Sequence, residues 1–284
     1  MQEAIQEFLH YLEQEQGCAQ NTILAYKNDL MQFQLALNEV SGHALRPDNF
    51  SEDHARIYIA HLSGEGYRPS TIYRKLAAVR SFLDFLREQG MLVTASVIEQ
   101  LRPSPTERKV PLVLSKGEIS KLLQAPANLD SPLALRDRAI LELIYRTGFR
   151  VGDIVNLKLE DVNLEQALIH SAARISALEE AVEPIKEYIN SGRPHLIRDH
   201  EERALFLNQR GLGLTRQGLW LIVKRWSREA ELGEDVSPHT IRHSLVSHLL
   251  EEGRTVKEVQ MKLGLKSPNS IRIFTALHGK AGRN

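Results

Sequence analysis

Three residues in the C-terminal half have the types and spacing to hold a phosphate. His239 and Arg242 stand three apart near the start of a helix expected over 238–252. Residues at that spacing share a helical face. A helix N-terminus, an imidazole and a guanidinium on one face favour a cluster of anionic oxygens. Arg150 lies in a second motif, YRTGFRVGDIVNLKLEDV. There Gly148 ends one helix, and Arg150 projects from the turn that opens the next. A bare H-x-x-R pair is common among ordinary polar residues, so the flanking sequence has to decide its meaning.

Other reactive side chains point to plainer roles. His239 and His243 stand at i, i+4 and His248 follows, but no HExxH or cysteine cluster accompanies them. No metal and no cofactor is expected. Cys18 is the sole cysteine and cannot form an internal disulfide. It reads as a small buried residue in a reducing compartment. Trp220 and Trp226 lie in the apolar and basic helix LTRQGLWLIVKRWSRE, where core packing is expected of at least one. Arg216, Lys224 and Arg225 on that helix are candidates to line a nucleic-acid backbone. In the N-terminal half Arg68, Arg74, Lys75 and Arg80 form the best basic cluster, and the helix from Asn21 to Leu37 offers only Lys27.

These residues need elements to place them. Apolar stripes at helical spacing run through Ile5–Leu12, Ile23–Leu37 and Ile72–Leu86. Asn21, Ser51 and Ser70 stand where N-caps belong. This predicts an all-helical N-terminal domain over residues 1–102. Residues 103–114, with Pro103, Pro105 and Pro111, read as a linker. The second domain spans 115–284. It opens with a capping box, Ser115 with Glu118, and Thr255 with Glu258 forms another. Strand-like runs fall at Ala167–His170, Arg174–Ala177 and Ala204–Asn208, with a helix between over Leu178–Asn190. The expected fold is mainly α with a small β-sheet.

The chain has 284 residues, with 36 basic and 36 acidic side chains. A formal charge of zero argues against an evenly basic nucleic-acid binder. The zero, however, hides a segregation. Up to Pro105 there are 9 basic and 13 acidic residues, which leaves 27 basic and 23 acidic beyond it. Any contact with a polyanion should therefore rest mainly on the C-terminal domain. No apolar run is long enough to span a bilayer, and a cytoplasmic location with no membrane partner is expected.

LFLNQRGLGLTRQGLWLIVKRWSREAELGEDVSPHTIRHSLVSHLLEEGRTVKEVQMKLGL closely resembles the catalytic domain of the Xer-like tyrosine recombinases of the phage integrase family. RTGFRVGDIVNLKLEDVN resembles that family's first arginine motif. NTILAYKNDL and YRPSTIYRKLAAVRSFLDFLREQG resemble its helical, SAM-like core-binding domain. The resemblance covers residues 5 to 280. It implies two domains clamped on double-stranded DNA, with Arg150, His239 and Arg242 gripping a backbone phosphate. It implies as partner an active tyrosine recombinase or further copies of the chain.

Three further roles of the family have no matching residue. The nucleophilic tyrosine falls on Phe274, whose ring has no hydroxyl. The second histidine falls on Leu265, which cannot hydrogen-bond a phosphate oxygen. The lysine-bearing hairpin falls on HSAARISAL, where Arg174 is the only basic residue and a guanidinium makes a poor proton donor. The resulting expectation is a pseudo-enzyme that has lost strand cleavage and acts as a regulatory or architectural DNA-binding protein in recombination. Two alternatives stay open. One is an active recombinase, with an engineered Tyr→Phe change or an unusual nucleophile. The other is a protein-interaction module without DNA binding.

Overall fold

The computed structural model describes residues 1–41, 46, 49–91, 94–102, 111–172, 174–265 and 271. The chain divides into two compact units, Met1–Arg108 and Lys109–Asn284. Residues 103–110 of the expected linker, and Phe274, lie outside the described residues.

The first unit is helical: α1 (Gln2–Gln14), α2 (Gln20–Ser41), α3 (Glu52–Gly64), α4 (Pro69–Glu88) and α5 (Ala95–Gln100). The sequence stripes become its core. Ile5, Phe8, Leu9 and Leu12 of α1 are buried against Leu30, Phe33 and Leu37 of α2 and Leu76, Val79, Phe82 and Leu86 of α4. Phe8 alone packs against Tyr26, Phe82 and Phe85, with ring centroids 5.3–5.7 Å apart. Ser51 caps α3 as expected. Ser70 and Asn21 do not cap. Pro69 occupies the first position of α4, where its missing N–H costs no hydrogen bond, so the helix begins before Ser70 and Arg68 is the boundary residue. α2 likewise starts at Gln20, placing Asn21 inside its first turn.

The second unit opens with α6 (Lys116–Gln124), whose N-terminus carries the Ser115–Glu118 box. α7 (Pro132–Thr147) is the central helix, with Ile140, Leu141, Leu143 and Ile144 fully buried. It ends at Gly148 in the left-handed conformation, φ 63°, and α8 (Val151–Val155) starts two residues after Phe149. A three-stranded antiparallel sheet follows, β1 (Val162–Asn163), β2 (Leu168–His170) and β3 (Ile175–Ala177), in the order β1-β2-β3. Ile169 pairs with Val162 on one side and Ser176 on the other. The hairpin is therefore present, short and without lysine.

Two stretches differ from expectation. Residues 178–190 do not form one helix. A 3₁₀ turn, Glu179–Ala181, leads to α9 (Val182–Glu187), a wide π-turn over Tyr188–Gly192 and α10 (Arg193–Leu196). Tyr188 opens the wide turn: it is fully buried, and its hydroxyl accepts from Leu207 N at 3.1 Å. A Cβ at Gly192 would lie 2.8 Å from that ring, so only glycine fits. Residues 204–208 form isolated bridges, Lys158↔Ala204 and Leu207↔Gly213, rather than a strand. Their apolar run reflects burial of Leu205, Phe206 and Leu207, while the Arg193 guanidinium takes up the carbonyls of Ala204 and Glu202.

The unit closes with α11 (Arg216–Glu229), α12 (Pro238–Glu251) and α13 (Val256–Leu263). Ser237 caps α12, and Thr255 with Glu258 boxes α13 as expected. Trp226 is buried and donates to Asp137 Oδ2 at 2.8 Å, whereas Trp220 is 44% exposed.

Candidate phosphate-binding site

Arg242, the fifth residue of α12, projects toward the C-terminal end of α7. It is 8% exposed, and its Nη1 donates to the carbonyl of Gly148. The left-handed turn at Gly148 is what points that carbonyl outward. No other residue fits there, since a Cβ would stand 2.4 Å from Leu263 Cδ2. Burial, with Arg150 and Arg174 nearby, pulls the Arg242 pKa down to about 10. The guanidinium still carries its charge at neutral pH. A buried cation among like charges is the electrostatic setting that an anion relieves.

Arg150 occupies the boundary position of α8, exposed, with its backbone N–H donating to Asp153 Oδ2 at 3.0 Å. His239 is the second residue of α12 and is exposed. Its ring lies 6.4 Å from that of His243, one turn on. Burial, then His239 and Arg242, hold the His243 pKa below the ordinary imidazole range. Arg150 thus stands at the start of α8 and His239 and Arg242 in the N-terminal half of α12, with Arg242 tied to the Gly148 turn that leads into α8.

Arg174 belongs to the same neighbourhood, although it carries no expected role. It sits at the start of β3, and its Nε donates to Ser176 Oγ at 2.8 Å. Nη2 donates to the carbonyl of Thr147, and the guanidinium lies 4.6 Å from the centre of the Phe149 ring. Burial brings its pKa down to about 10, against the opposing pull of Asp153, with Arg150 adding to the fall. Its one signal in the sequence is that it is the only basic residue in the hairpin. Leu265 follows the left-handed Gly264 and is half-buried, packed beside Leu245, Val259 and Leu263. Apolar contact replaces any polar role there.

The remaining candidates separate. Arg216, first residue of α11, lies over α8: a Cβ on Gly152 would come within 3.1 Å of its Nη2. Arg225 is exposed, stacked 4.8 Å from the Trp226 ring. Lys224 lies over Trp220 and donates to the carbonyl of Glu234. In the first unit Lys27 and Arg68 are exposed, and Arg80 is half-buried with its Nε unpartnered among the described residues. Arg74 is half exposed and donates to Asp29. Lys75 is 2% exposed, bonded to Asp29 at 3.3 Å and to Gln32, so its expected place on a DNA-facing surface is corrected. Burial beside a carboxylate is its role.

Comparison with known proteins gives the family and the fold. Residues 113–280 match the phage integrase family, and residues 5–90 match the N-terminal SAM-like domain of phage integrases. The chain is 35% identical over 281 residues to tyrosine recombinase XerC of Herpetosiphon aurantiacus, covering 97% of this chain and 90% of the relative. It is 34% identical over 282 residues to tyrosine recombinase XerD of Listeria innocua, covering 97% and 94%. Among solved structures, the XerH site-specific recombinase bound to a palindromic difH substrate shares the fold. Its TM-score is 0.71 at 21% identity, over 92% of this chain and 77% of that one. The Tn1549 transposon integrase in complex with circular intermediate DNA does so with a TM-score of 0.72 at 16% identity, over 99% of each. The chain belongs to the phage integrase family of tyrosine recombinases. The expectation of a pseudo-enzyme is corrected by these relatives, which are named as recombinases and match it nearly end to end.

Proposed function

We propose that this chain acts on double-stranded DNA in recombination, and that Arg242, Arg150 and His239 hold one backbone phosphate between the N-termini of α12 and α8. The observation that carries the reading is Arg242, a buried guanidinium braced on the Gly148 carbonyl beside the turn that presents Arg150. Preorganised cations of this kind neutralise the charge that develops on a phosphoryl group during transfer. Phosphate contacts of this type position a protein on the duplex without reading its sequence.

Cleavage of a strand needs a hydroxyl to attack phosphorus. Phe274 carries none, so a cleaving assembly must draw it from another residue or another protomer. Further copies of the chain, or a second recombinase on the same DNA, are the partners this reading implies. The expected cytoplasmic location is part of it.

The test is a suicide duplex, nicked so that a cleaved end diffuses away. Binding that falls steeply with salt supports the phosphate grip. A covalent protein–DNA adduct on the same substrate identifies the cleaving hydroxyl by peptide mapping. No binding at low salt refutes the reading.

A further inference from the structure

Thr147, Gly148 and Phe149 are each held by an arginine from elsewhere in the fold, and Arg150 comes next. Arg242 takes the Gly148 carbonyl. Arg174 takes the other two: Nη2 donates to the Thr147 carbonyl, and the guanidinium plane packs against the Phe149 ring. Arg174 is itself held. Ser176 Oγ accepts from its Nε at 2.8 Å. The backbone of Gly264 closes over it, since a Cβ on Gly264 would stand 3.1 Å from Arg174 Cδ and 3.3 Å from Nη1. The hairpin that carries it is fastened as well. Glu179, two residues past β3, pairs with Lys262 of α13 at 2.6 Å, and Glu180 pairs with Arg146 of α7 at 2.6 Å.

The last carbonyls of a helix carry negative partial charge and no intrahelical partner. Left bare, they would oppose an anion arriving at Arg150. Two guanidiniums on the carbonyls of Thr147 and Gly148 cancel that opposition and fix the turn at the same time. Nε and Nη2 of Arg174 are spent on internal acceptors, so its fork is not directed at a phosphate. A guanidinium suits this task better than an ammonium, because it bonds in its plane while its face packs on an aromatic ring.

We propose that Arg174 is a positioning residue: it locks the Thr147–Phe149 turn so that Arg150 is presented to the phosphate. This rests on the phosphate-grip reading above, and the experiment separates the two. Affinity for a fluorescein-labelled duplex of mixed sequence is measured for the full chain and for R174Q, R150A and the double variant, each across a range of salt. R174Q is expected to weaken binding about tenfold in the unaltered background and less than about twofold once Arg150 is gone. R150A should lower the slope of log affinity against log salt, and R174Q should leave that slope unchanged.

Ser176→Ala, which removes only the bond that orients Arg174, should show the same pattern at smaller size. It serves as the probe if R174Q does not fold by urea titration. Equal losses in both backgrounds, or a salt slope reduced by R174Q, overturn the proposal in favour of a direct phosphate contact or general destabilisation. So does full affinity in R174Q while R150A binds weakly. If R150A and R242A both bind as the unaltered chain does, the grip itself is wrong, and the positioning role falls with it.

Discussion

Arg174 and Arg242 donate to successive carbonyls, those of Thr147 and Gly148, at the C-terminal end of α7. One arginine comes from a β-hairpin and the other from a helix some 70 residues later in the chain. Their meeting point is the turn that carries Arg150. The geometry at that turn depends on Gly148 more than on any charged residue.

Gly148→Ala should therefore damage both fold and site. The alanine would occupy φ 63° and bring its Cβ to 2.4 Å from Leu263 Cδ2 and 3.0 Å from Leu245 Cδ2. The left-handed conformation costs about 1–2 kcal/mol in a non-glycine residue, and the overlap adds about as much again. Gly233→Ala is the control: φ is 84° there, but no described atom lies within 4 Å of its Cβ. It should carry the conformational cost alone, about 1–2 kcal/mol. Urea unfolding of the two variants gives the difference, and equal midpoints would show that the Gly148 contact is not tight.

Much of this turn is legible in the sequence. Gly148 followed by Arg150 marks a left-handed helix end and the start of the next helix, and both are local signals. The Ser115–Glu118 and Thr255–Glu258 boxes are equally local, and both form. Lys75 was not legible. A basic residue on an amphipathic helix looks like surface, and its burial depends on Asp29, which arrives from 46 residues away. Arg174 escaped for the same reason: its partners Thr147 and Phe149 lie on a different element. The run at 204–208 misled because an apolar segment records burial and says nothing of a hydrogen-bonded neighbour.

Asp29→Ala should be the most damaging single change in the first unit. Asp29 and Lys75 are each 2% exposed, and the carboxylate is the charge partner of both Lys75 and Arg74. Removing it leaves the buried ammonium uncompensated, at a cost of about 3–5 kcal/mol. Lys75→Met leaves Asp29 still paired with Arg74 and should cost less. It should also leave the salt dependence of DNA binding unaltered, because Lys75 does not face solvent. A salt slope reduced in Lys75→Met would return that residue to the DNA surface.

Acid should weaken the second unit through two histidines of α12, His243, half-buried, and His248, buried. Burial holds His243 and His248 below the ordinary imidazole range; His239 and Arg242 add to the shift at His243, whereas Glu251 opposes it at His248. His248 is 3% exposed and shares a hydrogen bond with the Tyr145 hydroxyl at 2.9 Å. The unfolded chain binds protons near pH ~6.5 that the folded chain refuses. Their contribution is complete above about pH 6.5 and is lost as pH falls from there through the folded-state values. Glu118 and Glu258 are held below the usual carboxylate range by their capping hydrogen bonds, so they lose their share only at more acid pH. Urea midpoints at about pH 7.5 and about pH 5.5 should differ in the unaltered protein. They should differ less in His248→Gln, and an identical drop in both would remove His248 from the explanation.

Arg216 offers the cleanest count of phosphates. It is exposed at the first position of α11, with its guanidinium lying over Gly152, two residues past Arg150. If Arg150 holds one phosphate of the duplex, Arg216 over the adjoining Gly152 is a candidate to meet another. Each neutralised phosphate contributes about 0.9 to the slope of log affinity against log salt on duplex DNA. Arg216→Ala should lower that slope by about one, with stability unchanged because an exposed side chain is lost. Arg225→Ala is the comparison, since that guanidinium stacks on Trp226 at the far end of the same helix. If the two variants change the slope equally, proximity to Arg150 is not what makes Arg216 a DNA contact. If Arg216→Ala changes nothing, α11 meets the duplex elsewhere along its length.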